Sequence, residues 1–191
     1  AHYIPGFFFL KKLFINHFSH WLIRRFGNKC SSILAPTETA REYLRNIGVS
    51  RNIEVLPTGI NLENYEVNKN ELRDLRQKYV EENELLLITV SRLSREKNLY
   101  FLLKGIRNIK ENLNKNFKCL IIGDGPEKDN IEKYIKKHNL EKNVQLTGVI
   151  ANNKLSKYYL IGDIFLFAST TETQGMVLLE AMSGGNPVVA V

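Results

Sequence analysis

Two glutamates, Glu172 and Glu180, stand eight positions apart on either side of Gly175. The residues before Glu172 form an apolar run that predicts a buried strand, and Met176 begins a second apolar run that predicts a helix. A glycine at a helix start lets backbone N–H groups approach an anion, and the two carboxylates can accept hydrogen bonds from hydroxyl groups. The pattern therefore predicts a site for a ligand that carries both phosphate and hydroxyl groups.

The alternative interpretation is that Glu172 caps the helix and Glu180 is a solvated surface residue. Glu180 lies inside the otherwise apolar run Met176–Met182, where a solvated glutamate fits poorly. We therefore favour the binding role for this pair of carboxylates.

Three further loops follow predicted strands. Residues 91–98 (SRLSREKN) place two or three cations, Arg92 and Lys97 among them, before a helix. That setting suits a diphosphate, although a solvated charge cluster explains it equally well. Residues 123–126 (GDGP) predict a tight turn whose backbone is open to close approach. Residues 146–150 (LTGVI) predict another turn, and neither turn is specific by itself.

From about Tyr79 onward, short apolar strands alternate with amphipathic helices. The predicted strands are Leu85–Val90, Cys119–Ile122, Val144–Leu146, Ile164–Ala168 and Pro187–Val191, and the predicted helices are Asn98–Leu113, Lys128–His138, Lys154–Ile161 and Met176–Ser183. Near-continuous apolar strands in this order predict an α/β fold, with a Rossmann-like parallel sheet and helices on both faces. Ligands of such sheets gather outside the carboxyl ends of the strands, where all four loops are expected.

Residues 1–60 have a different organisation. Two strand–helix units do not bury a core alone, so we interpret this segment as the end of a preceding, acceptor-side domain. Residues 61–191 are then a second, incomplete domain, and its last strand without a covering helix predicts truncation at both ends. The elements predicted in the first segment are a helix at Phe7–Phe26, a strand at Ser31–Ala35, a helix at Glu38–Ile47 and a strand at Ile53–Leu56.

Charge and composition narrow the class of protein. The net charge is +7, and residues 1–60 hold eight basic and three acidic residues, a net of +5. An anionic partner such as phosphate, a lipid surface or nucleic acid is compatible with this excess, and so is a generally lysine-rich composition. No nucleic-acid motif is present, which disfavours that partner. No apolar run approaches the roughly 18 residues of a membrane span. Cys30 and Cys119 are predicted to be reduced core thiols of a cytosolic protein.

The combined motifs resemble a known family. The run Glu172-TQGMVLL-Glu180-AMSGGNPVVA is similar to the signature of the retaining glycosyltransferase family 4, which has the two-domain GT-B architecture. The segments P-x-G-I-N, S-R-L-x-x-E-K and G-D-G-P occur in the same order as in that family. The resemblance covers essentially the whole chain.

The resemblance implies a role for each matched residue. Arg92 and Lys97 would neutralise the diphosphate of a nucleotide sugar, Glu172 would hold hydroxyls of the sugar, and Glu180 would bind the ribose. The loop Gly148–Ile150 would contact the base. The predicted catalytic residue is Glu172, and the predicted donor-binding residues are Arg92, Lys97, Gly123, Gly148, Val149, Ile150, Gln174, Gly175, Met176, Val177 and Glu180.

The implied function is transfer of a hexose, glucose in particular, from a UDP-sugar with retained configuration and without a metal or cofactor. The family usually has Phe where Gln174 stands, and this variant, with residues 2–5 (HYIP), resembles a branch that glucosylates diacylglycerol. A membrane lipid acceptor at an anionic, cytoplasmic membrane surface is therefore expected. Two alternatives stay open: a polysaccharide or lipopolysaccharide precursor as acceptor, and a non-catalytic module that binds nucleotide sugars. Residues 1–191 alone are not expected to turn over.

Overall fold

The computed structural model describes residues 17–112, 115–172 and 174–191. These residues form parts of two compact units, Ala1–Gly59 and Ile60–Val191. Residues 7–16 of the predicted first helix, the HYIP tetrapeptide and Thr173 lie outside the described residues. The assignment of the units to an acceptor side and a donor side stays a prediction.

The first unit contains a small parallel sheet. The described elements of this unit are helix α1 (residues 17–27), strand β1 (Ser32–Ala35), helix α2 (Glu38–Asn46) and strand β2 (Asn52–Val55). The two strands pair in parallel, from Ser32 opposite Asn52 to Ala35 opposite Val55. The Thr37 hydroxyl caps α2 by accepting from the Ala40 N–H at 3.1 Å. Gly48, with φ of 92°, follows the helix end, as the sequence predicts.

The two cysteines differ in their surroundings. Cys119 lies in the second unit at the centre of strand β4 (Phe117–Ile122) with 0% exposure, and burial raises the pKa of its thiol to about 12. Cys30 is exposed, so the prediction that it is a core thiol is wrong. It follows the end of α1, where the chain turns towards β1, and a turn next to an apolar run does not bury its side chains.

The second unit is built on a five-stranded sheet in which every neighbouring pair is parallel. Its strands are β3 (Leu85–Val90), β4, β5 (Val144–Gly148), β6 (Ile164–Phe167) and β7 (Val188–Ala190). Their spatial order is β5-β4-β3-β6-β7. The predicted five-stranded parallel sheet is therefore confirmed, with each strand end within two residues of its predicted position.

Helices cover both faces of this sheet. They are α3 (Lys69–Gln77), α4 (Leu99–Asn112), α5 (Lys128–Lys137), α6 (Asn152–Ile161) and α7 (Met176–Ser183), and two 3-10 helices span Leu62–Tyr65 and Arg95–Lys97. Alternate residues of the three central strands, β3, β4 and β6, enter different cores. Leu87 and Ile121 pack against α4 and α5, whereas Leu86 and Ile88 pack against α3, α6 and α7. This alternation explains the near-continuous apolar strands.

No described helix is long and apolar enough to cross a membrane.

Candidate functional site

A salt bridge joins two loops at the carboxyl ends of β3 and β6. Lys97 Nζ donates to Glu172 Oε1 at 2.5 Å, and the two side chains are 20% and 29% exposed. Lys97 follows β3 and Glu172 follows β6, and these strands are neighbours in the sheet. The parallel topology therefore brings together two residues that are 75 positions apart in sequence.

The loop that carries Lys97 is held by backbone contacts with the loop that carries Glu172. The Glu96 carbonyl accepts from the Thr170 N–H at 3.1 Å and from the hydroxyls of Thr170 and Ser169 at 3.2 and 3.4 Å. Asn98 ends the 3-10 helix with φ of 51°, a left-handed conformation that asparagine tolerates better than most residues. The Lys97 backbone is thereby fixed relative to the residues that precede Glu172.

The three cations of residues 91–98 do not act together. Arg92 and Lys97 line one pocket with Glu172. The Arg95 side chain is 90% exposed and instead pairs with Glu127 at 3.3 Å. Two of the three cations therefore line the pocket, and Arg95 is not one of them.

An acidic residue modifies the charge of this loop. Glu96 lies between the cations, and a hydrogen bond from the Ser94 hydroxyl is the largest cause that lowers the pKa of its carboxyl. The positive charges of Lys97 and Arg92 also lower that pKa. Glu96 therefore stays ionised at neutral pH and offsets part of the positive charge near the pocket.

The glycine turn after β4 serves the packing of the two loops. Gly123 has φ of 136°, and a Cβ at this position would lie 2.0 Å from the Ser91 carbonyl oxygen. A Cβ at Gly125 would lie 2.4 Å from the Leu93 carbonyl oxygen. The Leu93 N–H donates to the Asp124 carbonyl at 2.9 Å. The close approach that these glycines permit is thus to the loop after β3, whose residue Ser91 lines the pocket.

The pocket lies at the start of α7. It has a volume of about 360 Å³ and is lined by Val90, Ser91, Arg92, Lys97, Glu172, Gln174, Gly175, Met176 and Val177. Gly175 is the N-cap of α7, with φ of 65°, a conformation that favours glycine. The first N–H groups of a helix have no partner within the helix and carry its positive dipole end. Two cations and a helix N-terminus therefore face the same space.

Glu180 lies in α7, at a contact with α6. Its Oε2 accepts a hydrogen bond from the Tyr159 hydroxyl at 2.7 Å. Tyr65 is also near, because the charge of Glu180 is the second cause, after burial, that raises the pKa of Tyr65 to about 12. Glu180 is half-buried, so the interpretation that it is an ordinary solvated surface residue is wrong. Burial against tyrosines explains how a carboxylate is tolerated in the apolar run.

The loop after β5 approaches the glycine turn. The Gly123 N–H donates to the Gly148 carbonyl at 2.9 Å. Gly148 has φ of 74° with open space around its Cα, and Val149 is 74% exposed. Ile150 packs in the same apolar cluster as Val177. An open backbone and an exposed apolar side chain are suited to contact with a planar group.

The structure brings together seven of the predicted residues in one pocket: Arg92, Lys97, Glu172, Gln174, Gly175, Met176 and Val177. Gly123, Gly148, Val149, Ile150 and Glu180 line no part of that pocket. Among the described residues, no three His, Cys, Asp or Glu side chains are grouped as metal ligands.

Sequence reasoning missed Tyr159, Tyr65 and the contacts of Glu96 with Ser169 and Thr170. Tyr158 and Tyr159 are adjacent in sequence, and spacing alone does not tell which one turns towards Glu180. Tyr65 lies in a 3-10 helix that precedes the first strand predicted in the second domain. A polar side chain whose partner is distant in sequence leaves no local signal.

A family model decides the classification. Residues 72–191 match the model described as glycosyl transferases group 1. This chain belongs to that family. Residues 2–64 match a second model, described as glycosyltransferase family 4. The GT-B resemblance of the motifs is confirmed.

Two of the relatives share one name. The chain is 32% identical to alpha-monoglucosyldiacylglycerol synthase of Streptococcus pneumoniae, over 89% of this chain and 39% of that protein. It is 28% identical to the Acholeplasma laidlawii protein of the same name, over 86% of this chain and 42% of that protein. The chain thus spans about two fifths of the length of these relatives.

A solved structure supports the fold. Anabaena Alr3699/HepE, crystallised with UDP and glucose, aligns with a TM-score of 0.80 at 22% identity. The alignment covers 91% of this chain and 48% of that one.

Proposed function

We propose that the chain forms the nucleotide-sugar-binding part of a retaining hexosyltransferase that uses a UDP-sugar, with glucose as the transferred sugar. The observation that carries this proposal is the convergence of Arg92, Lys97 and the N-terminus of α7 on one pocket beside Glu172. Anions bind where unpaired N–H groups and side-chain cations meet. A diphosphate fits this arrangement better than a neutral ligand does.

Lys97 can serve both the diphosphate and the sugar side of the pocket. An ammonium group has three donors, and the bond to Glu172 uses one of them. The others remain to neutralise a diphosphate, together with the guanidinium of Arg92. Two cations and a helix dipole offset the charge of the departing nucleotide, so the proposed reaction needs no metal.

Glu172 is proposed to bind hydroxyl groups of the donor sugar. Its Oε1 is already held by Lys97, which favours an orienting role over that of a nucleophile. Retention would then proceed through a short-lived oxocarbenium-like ion pair, in which the departing phosphate accepts the proton of the acceptor hydroxyl. The bond between the anomeric carbon of the sugar and the diphosphate oxygen breaks, and a bond from that carbon to the acceptor oxygen forms.

Glu180 and the loop Gly148–Ile150 are proposed to bind the nucleoside. Glu180 stands about a turn and a half along α7 from the phosphate-facing N-terminus. Its carboxylate can accept from ribose hydroxyls, and the exposed Val149 can lie against the base. Because the chain spans 39% of its pneumococcal relative, we propose that residues 1–191 alone bind donor but do not turn over.

Titration with nucleotides tests the donor proposal. Amide chemical shifts are followed during addition of UDP, UDP-glucose, GDP-glucose or inorganic pyrophosphate. The proposal expects shifts at Arg92, Lys97 and Gly175 with all four ligands, and tightest binding of UDP-glucose. Absence of shifts at these residues with every ligand would overturn it.

The proposed acceptor is a membrane lipid such as diacylglycerol, at the cytoplasmic face of an anionic membrane. Phe18, Trp21 and Phe26 of α1 are 53%, 45% and 63% exposed. The Arg25 guanidinium lies 5.6 Å from the Trp21 ring centre. Exposed aromatic residues beside cations are typical of surfaces that contact lipid headgroups. The names of the two synthases above support the same acceptor.

Cosedimentation with liposomes tests the membrane proposal. The chain should pellet with vesicles that contain anionic lipid, and less so as salt rises. Reversal of charge at Arg24 and Arg25 should abolish pelleting, whereas Arg107→Glu, a change in the other unit, should not. Transfer is measured with a full-length protein that contains this chain. If that protein does not pellet at low salt and transfers glucose to a soluble glycan instead, a polysaccharide-precursor acceptor replaces the lipid. If it binds donor but transfers glucose to no acceptor, a non-catalytic module is favoured.

A further inference from the structure

Tyr159 is a buried tyrosine whose hydroxyl contacts Glu180. It is 1% exposed, and its ring packs against Phe165 with centroids 5.7 Å apart. A Cβ at Gly184 would lie 2.7 Å from Tyr159 Cβ, so α7 passes close over this side chain. The ring therefore has little freedom, and its hydroxyl occupies a defined position in the contact between α6 and α7.

The hydroxyl of Tyr159 donates to Glu180 Oε2 at 2.7 Å. A glutamate on a helix surface samples several rotamers, and a bond from a rigid core group selects among them. A carboxylate has about four lone-pair sites, and this bond occupies one of them. The rest of the carboxylate is left to accept from a ligand.

Tyr65, in the 3-10 helix Leu62–Tyr65, lies near enough to Glu180 to be affected by its charge. Tyr65 belongs to the apolar cluster that includes Tyr159. Burial first, and the charge of Glu180 second, raise the pKa of Tyr65 to about 12, so its hydroxyl stays protonated and neutral. The charge of Glu180 therefore acts on tyrosines of two elements, and Tyr159 is the one that donates a hydrogen bond to it.

We propose that Tyr159 is a positioning residue for nucleoside recognition: its hydroxyl holds one oxygen of Glu180 so that the carboxylate is ready to accept from the two hydroxyls of a ribose. This inference rests on the proposed donor function. The discrimination between a ribonucleotide and a deoxyribonucleotide then depends on Tyr159, although Tyr159 does not touch the ligand.

The experiment compares Tyr159→Phe with Tyr158→Phe. Tyr158 lies on the same helix, and its hydroxyl contacts the Tyr79 hydroxyl at 3.2 Å, away from Glu180. Each substitution removes one hydroxyl and keeps the ring. Because Glu180 is only half-buried, water can replace the lost donor, and Tyr159→Phe is expected to fold. Dissociation constants for UDP, 2′-deoxy-UDP and pyrophosphate are measured by calorimetry, with melting temperatures for each variant.

Tyr159→Phe should weaken UDP binding about five- to tenfold, within the range for loss of one ordinary hydrogen bond. Binding of pyrophosphate should not change, and the preference for UDP over 2′-deoxy-UDP should shrink. Tyr158→Phe should bind all three ligands like the unaltered chain. In a Glu180→Ala background, Tyr159→Phe should add no further loss, because its effect passes through that carboxylate.

Three results would overturn the inference. If Tyr159→Phe lowers only the melting temperature and keeps the ribose preference, the hydrogen bond is structural, and the donor function stands. If Tyr159→Phe weakens UDP equally with and without Glu180, the hydroxyl acts elsewhere. If Glu180→Ala binds UDP like the unaltered chain, the nucleoside role of Glu180 fails, and the role of Tyr159 fails with it.

Discussion

Lys97 Nζ lies 2.5 Å from Glu172 Oε1, so the cation proposed for the diphosphate and the carboxylate proposed for the sugar are bonded to each other. The pair links the loop after β3 to the loop after β6. The two proposed functions, charge neutralisation and sugar orientation, are therefore coupled through one contact.

Glu172→Ala should weaken the binding of the nucleotide sugar and leave the binding of the nucleotide unchanged. Loss of the carboxylate removes the proposed hydroxyl acceptor but frees Lys97 for the phosphates. We expect weaker binding of UDP-glucose, by about 1–3 kcal/mol for a charged hydrogen bond, and no weakening of UDP. Calorimetry with both ligands measures this. Equal losses for UDP and UDP-glucose would contradict the division of roles.

Removal of either pocket cation should weaken diphosphate binding. Arg92→Ala and Lys97→Ala are each expected to cost about 1–3 kcal/mol of UDP affinity. Arg95→Ala is the matched control, since Arg95 belongs to the same loop but pairs with Glu127. Fluorescence or calorimetric titration at two salt concentrations distinguishes a specific contact from the general field. If Arg95→Ala lowers the affinity for UDP as much as Arg92→Ala does, the cations act only through the net positive charge of the loop.

Glu180→Ala should weaken UDP and UDP-glucose to the same extent. Its proposed ligand is the ribose, which both compounds contain, and a charged hydrogen bond again corresponds to about 1–3 kcal/mol. Inorganic pyrophosphate, which lacks a ribose, should bind as before. Competition between pyrophosphate and each nucleotide provides the measurement, and weaker pyrophosphate binding would place Glu180 in the phosphate site.

Gly123→Ala should destabilise the second unit. The new Cβ would lie 2.0 Å from the Ser91 carbonyl oxygen, and φ of 136° disfavours any L side chain. We expect a loss of more than about 2 kcal/mol in the free energy of unfolding. Gly105→Ala is the control, because Gly105 lies in α4 with open space around it. That change should stabilise by roughly 0.5–1 kcal/mol. Chemical denaturation compares the two, and equal stability would refute the packing role.

Ionisation of Tyr65 should lower the free energy of unfolding at alkaline pH. Its pKa is raised from 10.0 to about 12 in the folded chain. Between these values the unfolded chain loses the proton while the folded chain keeps it, so the contribution is complete below pH 10 and is lost as pH rises towards 12. Glu180→Gln should lower the pKa of Tyr65, although burial keeps it above 10. Ultraviolet titration, with Tyr65→Phe as the difference reference, measures this, and an unchanged pKa would place Glu180 too far away to act.

Local sequence patterns were sufficient to predict the sheet and the positions of the loops. Apolar runs such as Leu85–Val90 predicted strands correctly, because a strand covered on both faces needs apolar residues throughout. Gly175 and Met176–Ser183 were predicted at their observed positions, since a glycine at a helix start and an apolar periodicity are local features. The parallel topology then required the loops after the strands to meet at one edge.

The pairing of side chains across that edge could not be predicted before the folded structure was known. Nothing local distinguishes Lys97, which meets Glu172, from Arg95, which turns to Glu127. Tyr159 and Glu180 are 21 positions apart on different helices, and their bond depends on how α6 packs against α7. Cys30 has an apolar context in sequence and an exposed position in the fold. Sequence pattern determines which face of an element is buried, whereas pairing between elements depends on distances that exist only after the chain has folded.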